Sequence, residues 1–376
     1  MSESLIPALD APTGERRMVA APRRDGEDLA EFALRLGRLL LGGAAQGRTV
    51  VLDSAAMKEM CAAEIVLQRG AVRARRLPEW VLREPVVAAG QGPDVRPYFF
   101  LGTHHPINLS RTAVRLFVSH RRLRGRKSMP KALGPWAQDS GGFSELQEHG
   151  DWTVDPREYV EATARHQREI GRMEWAAPQD WMCEPIVISG GRVGRVVFAG
   201  THLSVEEHLR RTVLNFLELV VLWPEYSDGP CPFVPVLQGY TLPQYMACWD
   251  LYEAHGVRLE DYPVTPVGSV CRRQRSEEIA TVLSEIKQRG PGLRLHGFGV
   301  KTLGLARYAH LLHSADSMAW SEAAKHLPPL PGCVGRHKTC ANCPVFALRW
   351  LARIEELIRS GPRQAGWMDH YEEEAA

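Results

Sequence analysis

The chain has 376 residues, 44% of them apolar and 24% charged, with 33 Gly and 26 Pro; this is a globular composition, large enough for about two domains or one big α/β fold, and it excludes a low-complexity or collagen-like chain. Forty-six Lys and Arg stand against 44 Asp and Glu, a formal charge of +2 that by itself points to no polyanionic partner. Apolar runs such as Leu219 to Trp223 fall far short of the roughly 18 residues a membrane span needs, and the N-terminus has no apolar signal core, so a soluble, cytoplasmic protein without a membrane partner is expected.

Residues 1–95 read as an N-terminal extension of mixed composition, with a helix expected over Asp28 to Leu41 and no assignable role. From Arg96 onward, short apolar runs alternate with capped amphipathic helices. Eight runs read as strands: Tyr98 to Gly102, Val114 to Ser119, Pro135 to Gln138, Trp175 to Pro178, Phe233 to Leu237, Val264 to Val267, Leu293 to Gly297 and Ala315 to Met318. Several lack strict alternation, as buried parallel strands do. Asp155-Pro156-Arg157-Glu158 opens a helix with an N-cap and Pro at its first position, and Gly171 stops it. Ser204 with Glu207, Thr241 with Gln244, and Ser276 with Glu278 open three more, ending near Pro224, Gly256 and Gly290. A last helix runs to about Ser360. Eight strands alternating with helices predict a (β/α)8 TIM barrel over residues 96–330, of class α/β, and no Gly-rich dinucleotide or phosphate loop follows any strand.

Between Val95 and Gln138 there is no acidic residue, yet Arg121, Arg122, Arg124, Arg126 and Lys127 crowd together. Clustered cations release counterions from a phosphate backbone, so this stretch is the candidate nucleic-acid contact, with an ordinary solvated basic loop as the alternative.

In such a barrel the site forms at the C-terminal ends of the strands. Those ends read His104 and His105; His120; Asp139-Ser140-Gly141-Gly142-Phe143; Asp180; Gln238-Gly239; Gly268-Ser269; Gly297-Phe298-Gly299; and Asp316 on the last strand. Three carboxylates and an amide should therefore meet at one mouth. The lone histidines receive no role.

Of eight cysteines, five are scattered and read as reduced thiols. Cys333, Cys340 and Cys343, joined by His337, put four ligands within eleven positions, and Cys340-x2-Cys343 has the spacing of tetrahedral zinc knuckles. Four protein ligands leave no open position, so residues 331–376 read as a segment holding one structural zinc ahead of a C-terminal helix.

The DSGGF run of Asp139 to Phe143 resembles the tRNA-guanine transglycosylases of the queuine and archaeosine type. Asp180, the Val236-Leu237-Gln238-Gly239 strand end and the cysteine cluster match that family in the same order, and the resemblance covers about two thirds of the chain. Trp136 to Phe143, Trp175 to Pro185 and Cys340 to Trp350 look closer still to the DpdA-like relatives, associated with inserting 7-deazaguanines into DNA. The resemblance implies base exchange, with DNA favoured over tRNA as the nucleic-acid partner and a 7-deazaguanine-type free base as the second substrate; a homodimer is compatible with it.

It further implies that Ser140, Gly141, Gly142, Phe143, Asp180, Gln238, Gly239 and Gly299 bind the base or ribose. Asp139 would be the general acid/base. The family's nucleophilic Asp follows another in a GxDxxD pattern, but Ser314 to Ala319 keeps the first Asp and has Ala319 at the second. Asp316 is thus the expected nucleophile, since no other Asp lies on the last strand; a non-catalytic nucleic-acid-binding subunit, or a glycosidase that only removes a base, are the alternatives. The family also puts its zinc-binding His well after the last Cys, where His370 lies, whereas local spacing favours His337.

Overall fold

A computed structural model of the protein describes residues 18–20, 49–51, 63–68, 71–76, 97–194, 196–270, 277–300 and 302–360. The chain divides into two compact units, Met1–Pro85 with Tyr252–Arg258, and Val86–Leu251 with Leu259–Ala376. In the first, Met18–Ala20 pairs parallel with Thr49–Val51, and Ala63–Gln68 forms an antiparallel hairpin with Ala71–Arg76. The helix expected over Asp28 to Leu41 lies outside the described residues.

The second unit is built on seven parallel strands: β1 (Tyr98–Gly102), β2 (Leu116–Ser119), β3 (Trp136–Asp139), β4 (Met173–Ala176), β5 (Thr265–Val267), β6 (Leu295–Gly297) and β7 (Ser314–Ser317). Their order is β5-β6-β7-β1-β2-β3-β4, so the last strand pairs with the first, Asp316 opposite Phe100. The eighth expected strand is not a regular one. Residues 233–237 make isolated parallel bridges, Phe233 to Ala176 at one edge of the sheet and Leu237 to Val267 at the other. The segment reads Pro232-Phe-Val-Pro235-Val-Leu, and its two prolines lack the N–H a ladder requires, which limits it to bridges.

Helices follow the strands: α1 (Gly142–His149), α2 (Pro156–Ile170), α3 (Val205–Leu222), α4 (Leu242–Ala254), α5 (Glu277–Arg289), α6 (Thr302–Tyr308), α7 (Ala319–His326) and α8 (Pro344–Ser360). The starts of α2, α3 and α4 obey the sequence signals. The Asp155 carboxylate accepts from the Arg157 amide at 2.8 Å and the Ser204 hydroxyl from the Glu207 amide at 3.2 Å, each satisfying an otherwise orphaned helical N–H. At α4 the Gln244 side chain reaches back to the Thr241 amide at 3.0 Å.

Phe100, Phe117, Ala137 and Trp175, one each from β1 to β4, pack with Ala177, Val234 and Val264 into one buried cluster that includes the half-buried Phe298. Each aromatic ring removed from water contributes about 1.5–3 kcal/mol, so this plug is a main source of stability for the floor on which the site rests. Beyond β4 a small antiparallel hairpin, Gly191–Val193 with Val196–Phe198, projects from the second unit. On α8, Ala347, Trp350, Leu351, Ile354 and Leu357 are buried, and Trp350 packs against Phe99 of β1 with ring centres 5.7 Å apart. None of the described helices is long and apolar enough to cross a membrane.

Candidate active site

The ends of β1, β2, β3 and β7 and the loops after β4, β5 and β6 enclose a cavity of about 590 Å³, a size typical of small-ligand sites. Asp139, Asp180 and Asp316 all line it, together with Gln238, Ser140, Gly141, Phe143 and Gly299. The expected convergence of three carboxylates and an amide is therefore present. Gly142 and Gly239 are not among the lining residues; the Gly142 amide instead donates to Ser140 Oγ at 3.2 Å.

β3 ends on Asp139, and the chain turns at once into α1 through Gly141, whose φ of 80° is a left-handed conformation that glycine adopts without strain. A Cβ there would also lie 2.7 Å from Arg121 Cγ. Burial pushes the Asp139 carboxyl up to about 6; hydrogen bonds from the Ser119 hydroxyl and the Gly141 amide oppose the rise and the charge of Asp316 adds to it. Asp180, 2% exposed, is pushed by burial up to about 7, with the Asp139 charge adding to the effect. Gln238 Nε2 donates to Asp180 Oδ2 at 2.6 Å and Ser140 Oγ to Oδ1 at 3.3 Å. Gly268 passes so close to the Gln238 amide that any Cβ would collide with it, so glycine at that point is a packing requirement.

Asp316 is held differently. The Gly299 amide donates to its Oδ1 at 2.9 Å, and His296 Nε2 lies 3.2 Å from the same oxygen. His296 is fully buried, with Nδ1 2.8 Å from Ser314 Oγ and its ring among Trp175, Phe298, Phe117 and Phe100 at centre distances of 4.8–5.8 Å. The Gly299 amide and His296 Nε2 thus both meet the same carboxylate oxygen. Ala319, the position at which the related pattern has its second Asp, is the first residue of α7, and its amide donates to Ser317 Oγ at 3.1 Å; it does not line the cavity.

His296 and Glu184 were not singled out by sequence reasoning, and Glu184 and Ser269 complete the wall. Ser269 Oγ lies 2.8 Å from Glu184 Oε2 and 2.9 Å from Gln238 Oε1, and accepts the Cys183 amide at 2.8 Å. Ser269 stood in the strand-end series, but its partners are 31 and 85 positions away, and no local pattern marks them.

Arg121, Arg122 and Arg124 border the cavity, whereas Arg126 and Lys127 do not. The acid-free stretch is less uniformly basic in space than in sequence, because α1 supplies the missing acids. Arg121 makes a two-pronged pair with Glu148 at 2.7 and 3.1 Å and approaches the buried Glu145 at 3.7 Å. Arg122 and Arg124 are exposed. Among the histidines, His104 lines the cavity, while His120 is buried beside Tyr159 at 4.6 Å and its burial holds the ring down to about 3.

In the C-terminal segment the ligand atoms of Cys333, His337, Cys340 and Cys343 lie within 4.8 Å of one another. Cys333 Sγ and Cys343 Sγ are 3.7 Å apart, and His337 Nε2 is 3.2 Å from Cys340 Sγ. Thiolates on a tetrahedral zinc with bonds of about 2.3 Å stand roughly 3.8 Å apart, so the donor set fits such an ion. The cluster could thus hold a metal ion such as zinc. His370 lies outside the described residues.

Comparison with known families gives one match, to the family described as DpdA: DeoxyPurine in DNA protein A, over residues 95–370. No curated protein matches the chain.

Proposed function

The chain belongs to the DpdA family, and from that membership we propose that it exchanges guanine in DNA for a 7-deazaguanine base through a covalent Asp316–nucleoside intermediate. The observation that carries this is the meeting of Asp139, Asp180, Asp316 and Gln238 on one cavity in a chain of that family. Residues 96–330 would form the catalytic (β/α)8 barrel, with 233–237 as its irregular eighth member, 331–376 the segment holding a structural zinc through Cys333, His337, Cys340 and Cys343, and 1–95 an extension. The two bridges of 233–237 and the tetrahedral spacing of the donor set support these assignments.

Asp316 Oδ2 attacks the anomeric carbon; the C1′–O bond forms as the C1′–N bond to guanine breaks, and Asp139, protonated in part near neutral pH, gives its proton to the departing base. The incoming base then returns a proton to Asp139 and its nitrogen displaces Asp316, so two inversions retain configuration, as in retaining glycosidases. Asp180 and Gln238 face the base edge; Gln238 Nε2 and Asp180 satisfy each other at 2.6 Å and would exchange that bond for bonds to the base. His296 is a positioning residue, holding Oδ1 so that Oδ2 faces the sugar.

The test is incubation with DNA and a 7-deazaguanine base, then denaturing gels for the adduct and nucleoside mass spectrometry of DNA and tRNA. Wild-type protein should give modified DNA and a trapped adduct. Asp316→Asn should bind DNA and give neither, whereas His296→Ala should form the same adduct about tenfold or more slowly with little change in base KM. Base exchange at the wild-type rate by Asp316→Asn would sink the mechanism, and modification of tRNA alone would reassign the substrate.

A further inference from the structure

The hairpin after β4 exposes three β-branched apolar side chains in five positions, Val193 at 51%, Val196 at 41% and Val197 at 53%. Its register pairs Val193 with Val196 and Arg192 with Val197 across a two-residue connection in which Gly194 takes φ 60°. A small apolar tip raised into water has a cost without a return in folding, since it buries nothing of its own.

Its root explains where it points. Phe198 is buried in a cluster with Leu146, Trp181 and Val187, and its ring meets that of Phe143 edge-on at 5.9 Å. Phe143 lines the cavity, so the hairpin stands one side chain from the site. The Ala199 amide donates to the Gln147 carbonyl of α1 at 2.9 Å, and the next residue, Glu148, holds Arg121 at the mouth. Between Glu184 and Glu206 the only formally charged residues are Arg192 and Arg195, so the element is apolar and cationic with no acid.

We propose that this hairpin is the duplex-opening wedge: its valines enter the base stack where the target guanine leaves, while Arg192 meets a flanking phosphate. The inference rests on the base-exchange reading, which needs an extruded base because a guanine paired inside a duplex cannot reach a cavity recessed at the strand ends. Proteins that kink or open duplexes insert small apolar wedges between base steps beside cationic phosphate contacts, and the hairpin has both components. An RNA-free, double-stranded DNA is thus the partner it fits.

The experiment supplies one long DNA both as duplex and as heat-denatured single strands, with 7-deazaguanine as the incoming base, and measures release of tritium-labelled guanine. In parallel, permanganate reactivity of thymines reports strand opening by bound protein, independently of chemistry. Val193→Ser/Val196→Ser/Val197→Ser should lower the duplex-to-single-strand rate ratio by about tenfold or more and abolish the permanganate signal on duplex. The single Val197→Ser, chosen to keep the hairpin folded, should give a smaller fall of the same sign. A ratio and signal equal to wild type in both variants overturns the wedge and leaves base exchange standing. Strand opening by a wild-type protein that releases no guanine from either DNA would leave the wedge and refute the exchange. If the wild type self-associates, the triple variant is monomeric and the ratio is unchanged, the tip is a contact between copies and the wedge is wrong.

Discussion

The carboxylates of the site are held in three different electrostatic settings by neighbours a few ångströms away. Asp139 and Asp180 rise to about 6 and about 7, with burial as the leading cause in both, so between about pH 4 and pH 7 the folded chain binds protons that the unfolded chain has released. Their contribution to stability is therefore most favourable below about pH 4 and declines as pH rises through the two folded values. Asp139→Asn removes one such group and the like charge that raises the other. Relative to wild type, its melting temperature should fall less between about pH 5 and pH 8, and the Asp180 titration, followed by carboxyl carbon resonances, should move down. An unmoved Asp180 would mean that burial alone sets its value.

Among the elements, the C-terminal segment depends on one small cluster. Pro331 to Pro344 has little regular structure, and Cys333, Cys340 and Cys343 are buried in its centre around a common point while His337 is exposed. Cys340→Ala should lose one zinc per chain by metal analysis and broaden the unfolding transition, because structural zinc contributes folding free energy directly. Loss of zinc in His370→Ala but not in His337→Ala would reassign the fourth ligand. Seven of the strands and the helices α2, α3, α4, α5 and α8 were legible because each announces itself locally, through a short apolar run, an Asp155 or Ser204 cap, or a Gly171 stop, whereas the short α1, α6 and α7 went unread. Residues 233–237 read as an ordinary strand because apolar content hides what Pro235 does to the ladder. The hairpin did carry a signal, Gly-Arg-Val-Gly-Arg-Val-Val with a glycine at the turn, of the kind that marks two-residue connections. His296 and Glu184 carried none: their meaning depends on Asp316, 20 positions away, and Ser269, 85 away, which only the assembled fold brings near.

At the scale of the whole molecule, a net charge of +2 gives no sign of a polyanion partner, and the arrangement of charge does. Arg122 and Arg124 reach solvent at the cavity rim, Arg124 standing 4.0 Å from Glu145, while Arg121 is engaged with Glu148 at 2.7 Å. Replacing Arg122 and Arg124 by Ala should weaken DNA binding on all sequences alike and reduce the slope of log K against log salt by about 2, as two lost phosphate contacts require. An unchanged slope would make the rim an ordinary solvated surface. Arg121→Ala should have a smaller effect on the slope, since its charge is already compensated.

The pairing of β7 with β1 also dictates when the protein can be completed during synthesis. β1 leaves the ribosome about 200 residues before its second neighbour, a delay of roughly 10–40 s at ordinary translation rates. Until then Tyr98-Phe99-Phe100-Leu101 keeps one unpaired edge, an aromatic template open to any passing strand. The same late strand carries Asp316, so under the proposed mechanism a partly made chain would still lack its nucleophile.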